Sequence, residues 1–207
     1  MATRGRFITL EGIDGAGKST HVDAIAARIR ERGHTVVATR EPGGTPLGER
    51  LRDMLLHMPM SHDSEALLMF AARREHVGDV IGPALARGDW VLCDRFTDAT
   101  FAYQGGGHGV DVARIAALAQ WVHGGCEPDL TILFDVPTTV SRERLLRTAA
   151  QGRELDKFER EQGDFMARVR DVYLARAKAE PARIRIVDSS QPLDAVRARL
   201  REIVDQL

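Results

Sequence analysis

The chain has 207 residues, 43% of them hydrophobic, enough to bury a sizeable core and best accommodated as one compact domain over residues 1–207. Its 29 lysines and arginines are offset by 30 acids for a net charge of -1, which argues against general binding to nucleic acid or to an anionic membrane. No apolar run approaches a membrane span, the run from Met1 through Arg4 leaves no room for a signal peptide, and Cys93 and Cys126 lack metal-ligand spacing. The expectation is a cytoplasmic protein with two reduced, structural cysteines.

Residues 7–10 predict a buried strand, and Val22, Ile25, Ala26 and Ile29 recur at helical spacing until Gly33 supplies a stop. Between them lies the run Glu11, Gly12, Ile13, Asp14, Gly15, Ala16, Gly17, Lys18, Ser19, Thr20. Gly12, four further residues and then Gly17, Lys18 and Ser19 have the spacing of a phosphate-binding P-loop. Glycines let the N–H groups from Gly12 to Thr20 turn toward a polyphosphate; Lys18, read as an exposed loop cation, reaches the outer phosphates and Ser19 offers a hydroxyl to Mg²⁺. A glycine-rich turn with a solvated lysine is the plain alternative, disfavoured by the strand before it and the helix after it.

Residues 35–39 predict a second strand, ending in the loop Arg40, Glu41, Pro42, Gly43, Gly44, Thr45. Such loops at the carboxyl ends of parallel strands line ligand crevices, although most loops of this composition are mere connections. Leu47, Leu51, Met54 and Leu55 mark a helix; after a polar interval over 59–63 another runs from about Ser64 and continues to Arg87 and Gly88. On it, Phe70 and Arg73 stand one turn apart, suiting either a base with its phosphate or a core ring beside a solvated cation. Residues 90–93 predict a third strand running into Asp94 and Arg95. If this strand neighbours the P-loop strand, Asp94 occupies the place of an acid serving Mg²⁺ and Arg95 can clamp a phosphoryl group.

A helical segment from Thr97 would put Thr100, Tyr103 and Gln104 on one face before the glycines at 105–107. A helix bearing Val112, Ile115 and Val122 follows, then a fourth strand over 131–136. The stretch 142–159, with Arg142, Arg144, Arg147, Arg153 and Lys157, is too charged for core and reads as a mobile basic flap or as a solvated helix face. Phe165, Val169 and Tyr173 mark a long helix, residues 184–187 a fifth strand, and Leu193, Val196, Leu200 and Ile203 a last helix.

Taken together, the P-loop, the loop at 40–45, Asp94-Arg95-Phe96, the run Ala102 to Gly107 and Arg153-Glu154-Leu155-Asp156 resemble bacterial thymidylate kinase, in that order and over nearly the whole chain. The resemblance implies an α/β, three-layer P-loop kinase fold: a five-stranded parallel sheet flanked by helices, with a lid at about 142–159 closing over ATP. It implies the reaction ATP + dTMP to ADP + dTDP with Mg²⁺, and a homodimer, for which the helices after the second and third strands are our expected interface. Carried over residue by residue, Glu41 and Pro42 line the acceptor site, Phe70 stacks on thymine, Thr100 and Gln104 hydrogen-bond the base and Tyr103 crowds the 2′ position. Arg73 and Arg95 hold the dTMP phosphate and Asp14 sits by the sugar or that phosphate. Ser19 and Asp94 serve the metal, and Lys18, Arg95, Arg153 and Asp14 form the catalytic set. Gly15 resembles the branch that draws its catalytic arginine from the lid. Met69 competes with Phe70 for the base-facing place, Arg74 with Arg73, Arg147 with Arg153, and Ala99 stands where a serine is common. Another nucleoside monophosphate kinase, or a nucleotide-dependent switch, would share the P-loop.

Overall fold

The computed structural model describes residues 4–161 and 163–207; Met1 to Thr3, part of the N-terminal run discussed above, lie outside them. Five strands, β1 (Phe7–Glu11), β2 (Val36–Arg40), β3 (Trp90–Asp94), β4 (Leu130–Asp135) and β5 (Ile184–Asp188), form one parallel sheet in the order β2-β3-β1-β4-β5. β1 is buried along its whole length, as a central parallel strand covered on both faces must be. Strand periodicity divides its side chains between two cores. Ile8 and Leu10 join the larger, with Leu92, Ile132 and Phe134. Phe7 packs instead with Val91, Cys93 and Phe96 against Val77, Ile81 and Leu85. Both cysteines are free thiols.

Around the sheet run α1 (Val22–Glu31), α2 (Pro46–His57), α3 (His62–His76), α4 (Gly82–Ala86), α5 (Thr97–Thr100), α6 (Val112–His123), α7 (Thr138–Ala150), α8 (Gly163–Ala179) and α9 (Leu193–Asp205). Capping explains where several begin. The Thr45 hydroxyl accepts the Gly48 N–H at 3.0 Å with Pro46 next in line, and Ser61 accepts the Ser64 N–H at 3.2 Å. α3 therefore starts inside the interval 59–63, two residues before the expected Ser64. Beyond it the chain stays helical through a widened π turn, Val77–Ile81, directly before Pro83, whose missing N–H would interrupt a regular ladder.

The helical segment from Thr97 continues through the glycines at 105–107, which are wound into a π-helical stretch, Phe101–Gly107, under α8. A Cβ on Gly106 would stand 2.5 Å from the Val172 side chain and one on Gly107 2.4 Å from the Phe165 ring, so the close approach of α8 requires glycine there. The first part of the charged stretch 142–159 belongs to α7, and Leu145, Phe158 and Glu159 are buried although the stretch reads as too charged for core. The stem of each long cation leaves room for apolar neighbours to pack.

One ionic cluster ties the elements behind β4 together. Asp98 of α5, 3% exposed, accepts Arg176 Nε of α8 at 2.5 Å and Arg183 Nη1 at 2.7 Å, and Thr131 of β4 joins both Asp98 and Thr9 of β1. Burial works against the Asp98 carboxylate, but Arg183 and Arg176 outweigh it and hold the group below its ordinary value of 3.8. Asp98→Ala would leave Arg176 and Arg183 only the more exposed Glu180 as a carboxylate partner, and should cost about 1.5–3 kcal/mol of unfolding free energy at pH 7 in urea titrations. Because the folded pKa is depressed, the contribution is complete above the unfolded value and lost as pH falls through the folded one. The stability gap between the parent and Asp98→Asn should therefore begin to narrow only as pH falls to about 3.8 and keep narrowing below it; a constant gap would contradict this account.

Candidate active site

The P-loop leaves β1 at the switch point of the sheet, with β3 on one side and β4 on the other. Gly12, Gly15 and Gly17 all take positive φ, at 138°, 75° and 93°. The carbonyls of the loop are satisfied from outside. Ser141 Oγ of α7 donates to Asp14 O at 2.6 Å, Ser189 Oγ donates to Ala16 O at 2.5 Å, and Arg144 reaches Gly15 O and Ala16 O. The N–H groups of Gly15, Gly17, Lys18 and Ser19 have no partner among the described residues, the arrangement that suits an anion. Ile13 and Ala16 are buried, so they can serve a ligand through backbone alone. A Cβ at Gly15 would sit 2.6 Å from the Ser141 carbonyl, which explains why no arginine stands at this place while α7 packs over the loop.

Lys18 corrects the sequence reading: it is buried, not an exposed cation, and its Nζ donates to Gly12 O at 3.0 Å and Ile13 O at 3.3 Å. Burial, then Arg95, lower its pKa from the ordinary value, while Asp94, Asp14 and Glu11 favour its charged form. Asp94 ends β3 beside β1, in register with Leu10, as its proposed role requires. Its Oδ1 is buried without a partner among the described residues.

Next to the loop lies a cavity of about 630 Å³, open at its mouth. The structure gathers Asp14, Glu41, Pro42, Arg73, Arg95, Thr100, Tyr103 and Gln104 around it, from the P-loop, the loop after β2, α3, the end of β3 and the helical segment after it. At its centre Arg95, held at φ 72°, donates Nη2 to Asp14 Oδ1 at 2.5 Å and to the Tyr103 hydroxyl at 3.0 Å, and Nη1 to Gly12 O at 3.1 Å and the Tyr173 hydroxyl at 3.2 Å. Tyr103 in turn donates to Asp14 Oδ2 at 2.7 Å. Burial would raise the Asp14 carboxyl, but Arg95, Lys18 and the Tyr103 bond hold it below its ordinary value. Glu11, at the end of β1, goes the other way and is pushed up to about 7 by burial and by Asp98, although Tyr173 and the Phe96 N–H donate to it at 2.8 and 2.7 Å.

On the opposite wall, Arg73 Nε donates to Glu41 Oε2 at 2.7 Å and Nη2 to Thr100 Oγ1 at 3.1 Å; His76 bridges Glu41 Oε1 and Thr39. The Arg73 Nη1 donor has no partner among the described residues, whereas Arg74 is exposed and turned to the Val122 carbonyl, which settles which of the two faces the cavity. Phe70 is a correction. It is 1% exposed, packed with Ile115 and Val122, and does not line the cavity; Met69 does. Adjacent helical residues point about 100° apart, so only one of the pair can face the base. Arg153 also falls outside the lining: its guanidinium is paired with Glu159 of the same stretch at 2.7 Å and its side chain is about half exposed.

Six further lining residues have no role in the sequence analysis: Arg52 and Leu56 of α2, Phe96, Ala99, and Asp156 and Phe158 of the stretch 142–159. The spacing of Arg52 and Leu56, one helical turn apart, was the available signal, masked by the apolar stripe on the same helix. A second cavity of about 460 Å³, sharing no lining residue with the first, is bounded by Gly17, Thr20 and His21 at the P-loop and by Arg144, Ser189 and Gln191.

Known proteins resemble this chain over nearly its whole length. The thymidylate kinase family model matches residues 10–200. A thymidylate kinase of Bordetella pertussis is 60% identical over 210 residues, covering 100% of this chain and 99% of that one. A thymidylate kinase of Cupriavidus pinatubonensis is 59% identical over 206 residues, covering 99% and 100%. The crystal structure of thymidylate kinase from Ehrlichia chaffeensis superposes with a TM-score of 0.79 at 34% identity, over 98% of this chain and 99% of that one. With the P-loop, the parallel sheet and full-length similarity all in agreement, the chain belongs to the thymidylate kinase family.

Proposed function

We propose that the 630 Å³ cavity receives dTMP and the P-loop the phosphates of ATP, so that the chain, acting as one domain, carries out the reaction of its family, ATP + dTMP to ADP + dTDP. The observation that carries this assignment is the Asp14–Arg95–Tyr103 cluster: Asp14 belongs to the P-loop and also lines the cavity, so donor and acceptor sites share a wall. Phosphoryl transfer needs alignment and charge neutralisation more than covalent help, and a shared charged wall supplies both. Arg95 and Arg73 donate to oxygens of the bound nucleotide, Thr100 and Gln104 to and from its base, with Met69 and Phe96 as apolar walls, Glu41 and Pro42 closing one side and the Tyr103 ring crowding C2′. The second cavity takes the donor's nucleoside.

Lys18 exchanges its two loop carbonyls for phosphate oxygens. Mg²⁺ fits the residues present, since Asp94 Oδ1 is buried and unpartnered among the described residues and the Ser19 residue is exposed at the first turn after the loop. These two would hold it, directly or through water, and when bound it would offset charge on the phosphates. The lid brings Arg153 from Glu159 to the transferred group. None of the described helices is long and apolar enough to cross a membrane; we place the enzyme in the cytoplasm, where its two free thiols stay reduced.

A coupled ADP-release assay across acceptors tests the assignment. dTMP should be the best acceptor, dUMP poorer by roughly the 1–3 kcal/mol of one methyl group, and ribothymidine monophosphate much poorer. Tyr103→Ala should admit the ribonucleotide and Lys18→Ala should abolish turnover with its circular dichroism retained; equal use of ribose and deoxyribose by the parent would remove Tyr103 from this role.

Arg153→Ala should lower kcat by about 10³ or more while the Kd for dTMP moves only a few fold, because a lid guanidinium acts on the transition state. A loss confined to dTMP affinity would instead put Arg153 in the acceptor site.

A homodimer is proposed from the apolar residues left exposed on α2, α3 and α6, among them Leu47, Met54, Leu67, Val112 and Trp121, the last 82% exposed. Sedimentation equilibrium should find a dimer for the parent and a monomer for Trp121→Asp; a dimer unaffected by this change would move the interface elsewhere.

A further inference from the structure

A carboxylate outside the cavity lining controls a group inside it. Glu65 of α3, 2% exposed, accepts Gln104 Nε2 on Oε1 at 2.8 Å, while its Oε2 meets Lys157 Nζ of the lid at 2.5 Å and His108 Nε2 stands 3.4 Å from Oε1. An ionised carboxylate only accepts, so the Gln104 amide is obliged to turn its NH₂ toward Glu65. Its carbonyl oxygen, which has no partner among the described residues, is then the atom left for the cavity that Gln104 lines.

Resting on the reading that Gln104 faces the base, we propose that Glu65 is the positioning residue that makes this pocket an acceptor for a ring N–H and thereby selects thymine and uracil against cytosine. Thymine and uracil present N3–H between two carbonyl oxygens; cytosine presents a bare N3 lone pair beside an amino group. A carbonyl held opposite N3 gains a hydrogen bond from the first and faces an unpaired lone pair in the second. An unrestrained amide would rotate by half a turn and serve either base, so the discrimination resides in the restraint as much as in Gln104. Because the second oxygen of Glu65 holds Lys157, the residue that orients the base reader also docks the lid.

The test is kcat/KM for dTMP and dCMP in the parent, E65Q, Q104A, K157M and the double variant E65Q/Q104E, with circular dichroism on each. E65Q should raise KM for dTMP about tenfold with kcat changed less than about threefold, and lower the dTMP-to-dCMP ratio at least about tenfold. K157M should keep that ratio, since the Gln104 bond does not involve the lid. In E65Q/Q104E the amide and carboxylate exchange places, an oxygen again faces N3–H, and the ratio should recover; this variant decides the matter if E65Q alone fails to fold. A ratio that collapses in Q104A but survives in E65Q overturns the role of Glu65 and leaves Gln104 as base reader. A ratio that survives in Q104A removes Gln104 from the base and Glu65 with it, and an E65Q/Q104E variant with no recovery, or a K157M variant that loses the ratio, also overturns the proposal.

Discussion

A guanidinium lies across the carboxyl ends of β1 and β3, and the geometry of both the P-loop and the neighbouring cavity depends on how it is held. Burying an unpaired charge costs several kcal/mol, and the left-handed backbone at Arg95 adds about 1–2 kcal/mol more. Neither is tolerable without compensation. A P-loop carbonyl, the Asp14 carboxylate and two tyrosine hydroxyls receive the Nη1 and Nη2 donors of Arg95, and the Phe96 N–H that follows its strained backbone is taken by Glu11. Because the partners of its side chain come from the P-loop, the helical segment after β3 and α8, fixing one side chain fixes three pieces of chain relative to one another, and the Phe96 N–H ties β1 to them.

The two acids in this cluster show how environment separates like groups. Asp14 has Arg95 and Lys18 close by and stays below its ordinary range, suited to a permanent negative wall. Glu11 is deeper, feels Asp98, and is pushed up to about 7. Its hydrogen bonds from Tyr173 and Phe96 persist as geometric restraints while burial dominates its charge. A similar contrast marks the arginines. Arg73 and Arg95 are enclosed and locked by carboxylates within the cavity wall, whereas Arg153 is exposed and paired only with a residue of its own segment, so it alone of the three can be redirected at small cost.

Much of the site was legible because its chemistry is local. P-loop glycines, the acid and base after β3, and the loop after β2 are set by backbone conformations that a few neighbouring residues determine. Met69 and Phe70 illustrate the limit: both are apolar, and which one faces the cavity depends on the rotation of α3 against α6, a matter of packing with Ile115 and Val122. Glu65 was invisible for a related reason. On a helix an acid reads as solvated, and only the approach of Gln104 and Lys157, 39 and 92 residues away in sequence, makes a buried acceptor of it. The burial of Leu145 within the charged stretch 142–159 was not legible, because α7 turns it and the preceding Ser141 inward and charge content does not report which face of a helix is covered.

Sequence alone determined the alternation of strand and helix, the phosphate-binding loop and the family resemblance, since period, turn chemistry and motif spacing are properties of short stretches. Tertiary structure alone decided which buried polar atoms lack partners, which cations are already paired, and that Lys18 folds back on its own loop rather than standing in solvent. The reason is that hydrogen bonds and ion pairs in a buried site are shared among elements distant along the chain, and a low-dielectric interior makes each depend on all its neighbours.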